Sequence, residues 1–405
     1  MEAGMSPAAV NLESSKLHEK VAGAMGRAEI AKQVAQFGAK VPELASLQAG
    51  HFRNLVVGGG PAGYAVVSTL LDGGSSPTLW VDPAFQSGRL AQYLEVPSNT
   101  KTKLFAKFAT TPACGSDGAA LDPYQGEDPE KGCPLQAAQQ MVVRLSENMH
   151  QNHSDMVTMR RGFVDSLDWM RDSWRIDDGR LTADCTFLAT GASPQEPDGF
   201  PGLPYIPLDD ALIPPRLPGH VSSEDTVCVI GSSHSAILVL KNLLDMKSGP
   251  KVINLYRSDL KYAREAPGGA IILDNTGLKG LAADWAREKL ATGCYEKQGK
   301  LQRINTTKED ASEAIKDCTK LVSATGFKRN RLPELSVDGI PMRDVQHDKH
   351  TGAIIPGRLY GYGIAFPEEI VDPAYGHKES NVGLWKFMRY AREVLPAQQL
   401  CGAPA

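Results

Sequence analysis

The chain has 405 residues, 43 basic and 47 acidic side chains for a net charge of −4, and 42% apolar residues. That length suits two or three domains with a sizeable core, and the slight acidity excludes the broad basic field that holds nucleic acid or an anionic membrane surface. Seven cysteines without a C-x-x-C exclude a disulfide framework and a zinc knuckle and suit a reducing compartment.

The N-terminus carries Glu2, Glu13 and Glu19 and has no apolar segment of signal-peptide type, and no run of about 18 apolar residues suggests a membrane span. A cytoplasmic protein is expected. Residues 13–37 place Leu17, Val21, Ala24 and Ala28, then Ile30, Val34 and Phe37, near helical spacing, which predicts one or two amphipathic helices. They form an extension, residues 1–50, packed on the body; an arm for a second copy in a homo-oligomer is the alternative.

From His51 the pattern becomes β-α-β: NLVV is a short strand, GGGPAG breaks it, YAVVSTLL is helical, and TLWVD is a second strand ending in an acid. Thr110 to Gly132 is rich in Gly, Pro and Asp, which predicts no regular element and suggests a lid or an insertion. Pro134 then opens a helix whose Leu135, Ala138, Val142, Leu145 and Met149 make one apolar stripe. A second β-α-β unit starts at TVCVI, turns at GSSHSA, continues through ILVLKNLL and closes with VINLYR. Asp184–Gly191 and Asp317–Gly326 also resemble each other, both being strands that run into Ala-Thr-Gly.

In Gly58-x-Gly60-x-x-Gly63 the first glycine permits the turn, the second bares the backbone to a pyrophosphate, and the third lets helix and strand approach. Pro61 and Ala62 open the helix, whose N-terminus faces the phosphates. Asp82 stands about twenty residues on, where a carboxylate accepts from ribose hydroxyls. A purely structural turn is the alternative. The second loop, Gly231-x-Ser233-x-x-Ala236, has a Cβ at Ser233 where the backbone is usually bare. His234 and Ser235 lie within it and are candidates for phosphate or nicotinamide contact, or simple surface residues. Arg257 takes the place where NAD sites put an acid, so it suits the 2′-phosphate of NADPH, with Lys261 and Arg264 nearby; a solvated basic face is the other reading. No H-E-x-x-H or clustered His/Cys set suggests a metal, and no G-x-S-x-G suggests a serine hydrolase.

GGGPAG, Asp82, the paired Ala-Thr-Gly strands and the interrupted second unit resemble the two-dinucleotide-domain flavoproteins, over roughly Phe52 to Pro396. The resemblance implies an α/β chain of two Rossmann-like three-layer domains. An FAD domain in two segments, 51–222 and 323–405, carries an inserted NADPH domain, 223–322. Thr190 and Gly191, with Thr325 and Gly326, cross between the lobes, and Gly363 and Ile364 run beneath the flavin. Asp372 is a lesser candidate for contact with the ribityl chain. The lack of a C-x-x-C departs from the disulfide reductases of that superfamily, which need neighbouring thiols.

Gln92–Lys101 is similar to the stretch of flavin-containing and N-hydroxylating monooxygenases in which an Asn lies by the reactive edge of the flavin, which nominates Asn99. A neutral amide there bonds a flavin hydroperoxide without supplying a proton; a turn-forming Asn is the alternative. The F-x-G-x-x-x-H signature of that group is absent, Phe200–Asp209 standing in its place. The resemblance thus implies an FAD- and NADPH-dependent monooxygenase whose partners are dioxygen and a small nucleophile, an amine or a thioether. Two alternatives remain at this point: a reductase passing electrons to a quinone or protein acceptor, and a flavin-binding scaffold or redox sensor without turnover.

Overall fold

The computed structural model describes residues 36–114, 118–197, 202–267 and 270–397. The helices expected over 13–35 fall outside these, as do Phe200 and Pro201. The first sheet grows from β1 (Gly50–Val57), with β2 (Thr78–Asp82) and then β3 (Val157–Arg161) parallel on one side and β6 (Leu181–Leu188) parallel on the other. All five residues of β2 are buried, as expected of a parallel strand covered on both faces. β4 (Ser166–Met170) and β5 (Ser173–Ile176) form an antiparallel meander on the first half of β6. The chain returns to this sheet late. Glu334–Val337 pairs parallel with β4, and Leu359–Gly361 pairs parallel with the end of β6.

Between these passes lies a four-stranded parallel sheet. Its order is Leu301–Asn305, β9 (Lys251–Tyr256), β8 (Thr226–Ile230) and Lys320–Ser323. The two passages between sheets are zipped together, since β7 (Ala192–Pro194) pairs antiparallel with Phe327–Arg329. Asn330 clasps them further: its Nδ2 donates to Thr190 O at 2.8 Å, and its Oδ1 accepts from Ser193 Oγ at 2.6 Å.

Helix Pro61–Asp72 is apolar on nearly every side, with residues 62–71 all buried between the sheet and its neighbours. The stripe on helix Leu135–Asn152 is core as expected, with Ala138, Val142, Leu145 and Met149 fully buried. Phe37 and Val41 insert into the same core, so residues 36–41 pack on the first unit.

The 110–132 stretch holds one regular element where none is expected, the 3-10 turn Ala119–Tyr124, in which Tyr124 stacks on Phe105 with ring centroids 5.8 Å apart. Its described residues pack as an insertion, one of the two expected roles, and none of them lines the cleft described below. Its far end instead braces residues 98–103: Thr102 N–H donates to Lys131 O at 2.8 Å and Ser98 N–H to Cys133 O at 2.9 Å. Among the described residues no helix is long and apolar enough to cross a membrane.

Candidate functional site: two phosphate loops and the cleft between them

The first loop closes on itself through glycine. A Cβ on Gly58, whose φ is +117°, would lie 2.3 Å from Ala189 O, and one on Gly63 would lie 1.9 Å from Gly58 O. Trp80 Nε1 donates to Gly58 O at 2.9 Å and fixes the loop from below. Gly60 is different. A Cβ there would meet nothing nearer than Gly88 Cα and Ser87 O at 4.0 Å, and its φ of −80° is open to any residue. Nothing among the described residues requires that glycine, whereas a pyrophosphate against bare backbone would.

The surroundings fit such a ligand. Pro61 opens the helix at N1, and the buried hydroxyls of Ser87 and Thr190, both in segments bordering the loop, have no hydrogen-bond partner. Gly191 has a φ of +74°, and Gly363 lies so close that a Cβ on it would reach within 2.6 Å of Ala62 Cβ, bringing the C-terminal segment against the helix start. Ile364 beside it is 38% exposed.

Asp82 is buried and turned onto its own loop. Its Oδ2 accepts from Gly59 N–H at 2.6 Å, and its Oδ1 from Ala84 and Phe85 N–H at 2.8 and 2.6 Å. The carboxylate therefore sets the shape of the phosphate loop, and any ribose contact adds to bonds already made.

The second loop repeats the first. A Cβ on Gly231 would lie 2.6 Å from Ala324 O, the counterpart of the Gly58–Ala189 approach, so in each unit the alanine carbonyl of Ala-Thr-Gly abuts the first glycine of the phosphate loop. Ser233 is the N-cap of helix His234–Leu244, and Gly326 has a φ of +117° with open space around it; Thr325 Oγ1 bonds Ser323 Oγ at 3.0 Å. Arg257 is exposed just past the end of β9 and does not line the cleft.

A cleft of about 190 Å³ lies where the two units meet. Asn99 and Pro97 come from the first, His234, Ser235 and Leu238 from the second, and Phe327 from the passage between them. His234 Nε2 lies 2.9 Å from Lys279 N, whose N–H it can accept, and 3.2 Å from Lys279 O, to which it can donate, so this nitrogen is engaged by the Lys279 backbone in either tautomer. Burial holds this imidazole below its ordinary pKa, and its place at a helix N-terminus also disfavours a cation. The Tyr93 hydroxyl donates to Asp209 at 2.5 Å and accepts from Arg89 at 2.8 Å; burial, then the bond to Asp209, raises its pKa. The cleft thus offers hydrogen bonds but no acid.

The His234 assignment has a measurable consequence. The unfolded chain takes up this proton near the ordinary value of about 6.5, which the buried ring declines. Stability is therefore full above that pH and falls as pH drops below it. Between about pH 7 and about pH 5 the urea midpoint should fall less in His234→Gln than in the wild type; an equal fall discards the neutral assignment.

No family model matches the chain. Over 387 residues it is 38% identical to Monooxygenase AgnR1 of Paecilomyces divaricatus, a match that takes in 84% of this chain and 96% of the relative. The chain belongs to the same monooxygenase family. The fold of this monooxygenase is similar to that of the reduced ornithine hydroxylase from Pseudomonas aeruginosa, with a TM-score of 0.58 and 12% identity over 86% of this chain and 98% of that one. L-lysine 6-monooxygenase from Pseudomonas syringae gives a TM-score of 0.56 at 13% identity, covering 85% and 97%. At these identities the likeness is one of fold.

Several parts of the candidate site were not found from sequence. Ser87-Gly88 is a turn signal, yet its place opposite Gly60 is a long-range fact. The stretch from Ser258 to Lys279, much longer than a usual β-to-α connection, is a strap that carries Lys279 to His234 and Gly280 to Asn99; a Cβ on Gly280 would lie 3.8 Å from Asn99 Cα.

Hairpin strands Glu368–Val371 and Lys378–Asn381 pin this strap. Asp372 accepts from Leu273 N–H at 2.6 Å and from Ala374 and Tyr375 N–H, which takes it away from any ribityl role. Glu379 accepts from Asn275 N–H and Thr276 Oγ1. Asp372, His377 and Glu379 lie within 4.8 Å of one another, but the carboxylates are engaged in holding the strap.

Proposed function

We propose that the monooxygenase holds FAD on the first loop and NADPH on the second and uses dioxygen to oxygenate a small soft nucleophile, an amine or a thioether. The observation that carries this is the shared cleft, in which Asn99 of one unit faces His234 and Ser235 of the other. The bound dinucleotides supply hydride transfer and oxygen activation, which no side chain can provide.

The chain's own residues position and protect. Gly58 and Gly63 let the first loop close, Gly60 bares backbone to the pyrophosphate, and Pro61 and Ala62 aim a helix N-terminus at it. Thr190, Gly191, Gly363 and Ile364 border the same space. Gly231 and Ser233 cradle the second pyrophosphate, beside Thr325 and Gly326, and His234 and Ser235 face the nicotinamide end from the cleft wall. Asn99 donates a hydrogen bond from a group that has no proton to release. Tyr93 keeps its proton, and His234 stays neutral, so the walls do not discharge activated oxygen as hydrogen peroxide.

The test is NADPH-driven turnover under isotopically labelled dioxygen with aryl thioethers and aryl amines as acceptors. One labelled atom should enter the product for each NADPH consumed. Oxidation of NADPH with all the oxygen recovered as hydrogen peroxide, or with quinones as the only acceptors, would overturn the reading.

Nicotinamide preference is set by Arg257, whose exposed guanidinium at the end of β9 suits a 2′-phosphate. Arg257→Ala should weaken NADPH binding about ten- to a hundredfold, the worth of a lost charge-assisted contact, and leave NADH nearly unchanged. Titration of both nucleotides against wild type and variant decides it. Equal loss for both, or none for either, returns Arg257 to the solvated surface.

A further inference from the structure

Among the described residues, the cleft beside Asn99 is lined without a single ionised side chain. Leu135, Leu212, Leu238, Val96, Pro97 and Phe327 make most of its walls. Most of its polar atoms are already engaged within the protein. Ser98 Oγ donates to Thr100 O at 2.6 Å and accepts from Thr100 N–H at 2.8 Å, the Tyr93 hydroxyl is bonded on both sides, and His234 Nε2 is held by Lys279.

Two cations reach lining residues from behind, and each is paired with a carboxylate. Arg89, behind Tyr93, pairs with Asp209 at 2.5 Å. Lys279, behind His234, pairs with Asp274 at 2.7 Å, and Asp274 is held from its other side by Lys386 at 2.7 Å. Both pairs lie behind the lining, so among the described residues no ionised side chain meets a carboxylate or an ammonium in the cleft.

We infer that the substrate oxygenated here is uncharged and largely apolar, an inference that rests on the oxygenase reading above. An ion entering this cleft loses its hydration and finds no counter-charge, a cost that apolar contact does not return. Of the two nucleophile classes this selects thioethers and weakly basic aryl amines over alkyl amines, which travel in water as ammonium ions. It also separates this chain from the ornithine and lysine enzymes that share its fold, whose named substrates are charged at both ends.

The experiment uses the flavin-loaded full chain and matched probes: a set of neutral aryl methyl thioethers and aryl amines, their ring carboxylates, and L-ornithine. Binding is read without NADPH from the shift in thermal midpoint with probe concentration, and product is read separately with NADPH. Neutral members should bind at least about tenfold more tightly than their carboxylates, and L-ornithine should not register. Phe327→Arg, which places a cation at a partly exposed wall, should move the carboxylate-to-neutral ratio about tenfold toward the carboxylate.

Carboxylates or L-ornithine binding as tightly as the neutral set, no neutral probe binding at all, or a ratio unmoved by Phe327→Arg each overturns the inference. Selective binding of neutral probes with no oxygenated product from any of them supports the inference about the cleft and overturns the oxygenase reading instead.

Discussion

Gly60→Val should yield a stably folded protein that retains no flavin, whereas Gly63→Ala should destabilise the fold itself. The two glycines sit three residues apart in one motif, and their environments are opposite. At Gly60 the backbone is extended at φ −80° and the nearest atoms a Cβ would meet are 4.0 Å away, so the protein itself tolerates a side chain. The space that Val fills is the space a pyrophosphate needs in order to reach the backbone. At Gly63 the added Cβ would sit 1.9 Å from a backbone carbonyl in the packed centre of the unit, and relieving that clash costs on the order of 3 kcal/mol or more.

The measurements are the flavin-to-protein ratio after purification and the thermal midpoint of the flavin-free protein. Gly60→Val should lose essentially all flavin and keep the flavin-free midpoint; Gly63→Ala should lower that midpoint by several degrees. A Gly60→Val protein with a full flavin complement shows that the pyrophosphate lies elsewhere.

The contrast also shows which parts of the site are legible in sequence. The glycine motif, its helix and the doubled Ala-Thr-Gly segments are local patterns set by φ, by helix ends and by strand burial, so they can be read from neighbouring residues. The reason for the doubling cannot. Ala189 O against Gly58 and Ala324 O against Gly231 are approaches between segments some 90 to 130 residues apart, visible only once the sheets are assembled. Asp82 was identified as an acid after a strand, but three backbone N–H groups from the loops on either side claim its oxygens, which no spacing rule anticipates. The strap is legible only as an overlong connection. Its function comes from where Asp372 and Glu379 hold it, and these lie about a hundred residues further along the chain.

Asn99→Ala should still bind FAD and accept electrons from NADPH, yet release most of the consumed oxygen as hydrogen peroxide. A structural role for Asn99 would require the turn to depend on it, and the turn does not. Ser98 Oγ closes it through both the N–H and the carbonyl of Thr100, Ser98 N–H is anchored on Cys133 O, and Thr102 is anchored on Lys131 O. The backbone of Asn99 is not left-handed, so no conformational preference for Asn is being used. Among the described residues its side chain has one long hydrogen bond, Thr100 Oγ1 donating to its Oδ1 at 3.3 Å, and it is exposed beside the cleft.

What remains for the amide is hydrogen bonding into a cleft where Tyr93 holds on to its proton and the His234 imidazole resists becoming a cation. Loss of one preorganised donor at a site of developing charge typically costs about 3–4 kcal/mol, or two to three orders of magnitude in the affected step. That is enough for peroxide release to overtake oxygen transfer. Asn99→Asp should be as impaired or worse, because a carboxylate accepts but does not donate and repels negative charge on oxygen. The quantity to compare is hydrogen peroxide formed per NADPH consumed, for wild type and both variants at the same oxygen concentration. An unchanged ratio with normal flavin reduction would remove Asn99 from the chemistry and leave His234 and Ser235 as the side chains in the cleft with hydrogen-bonding groups still to assign.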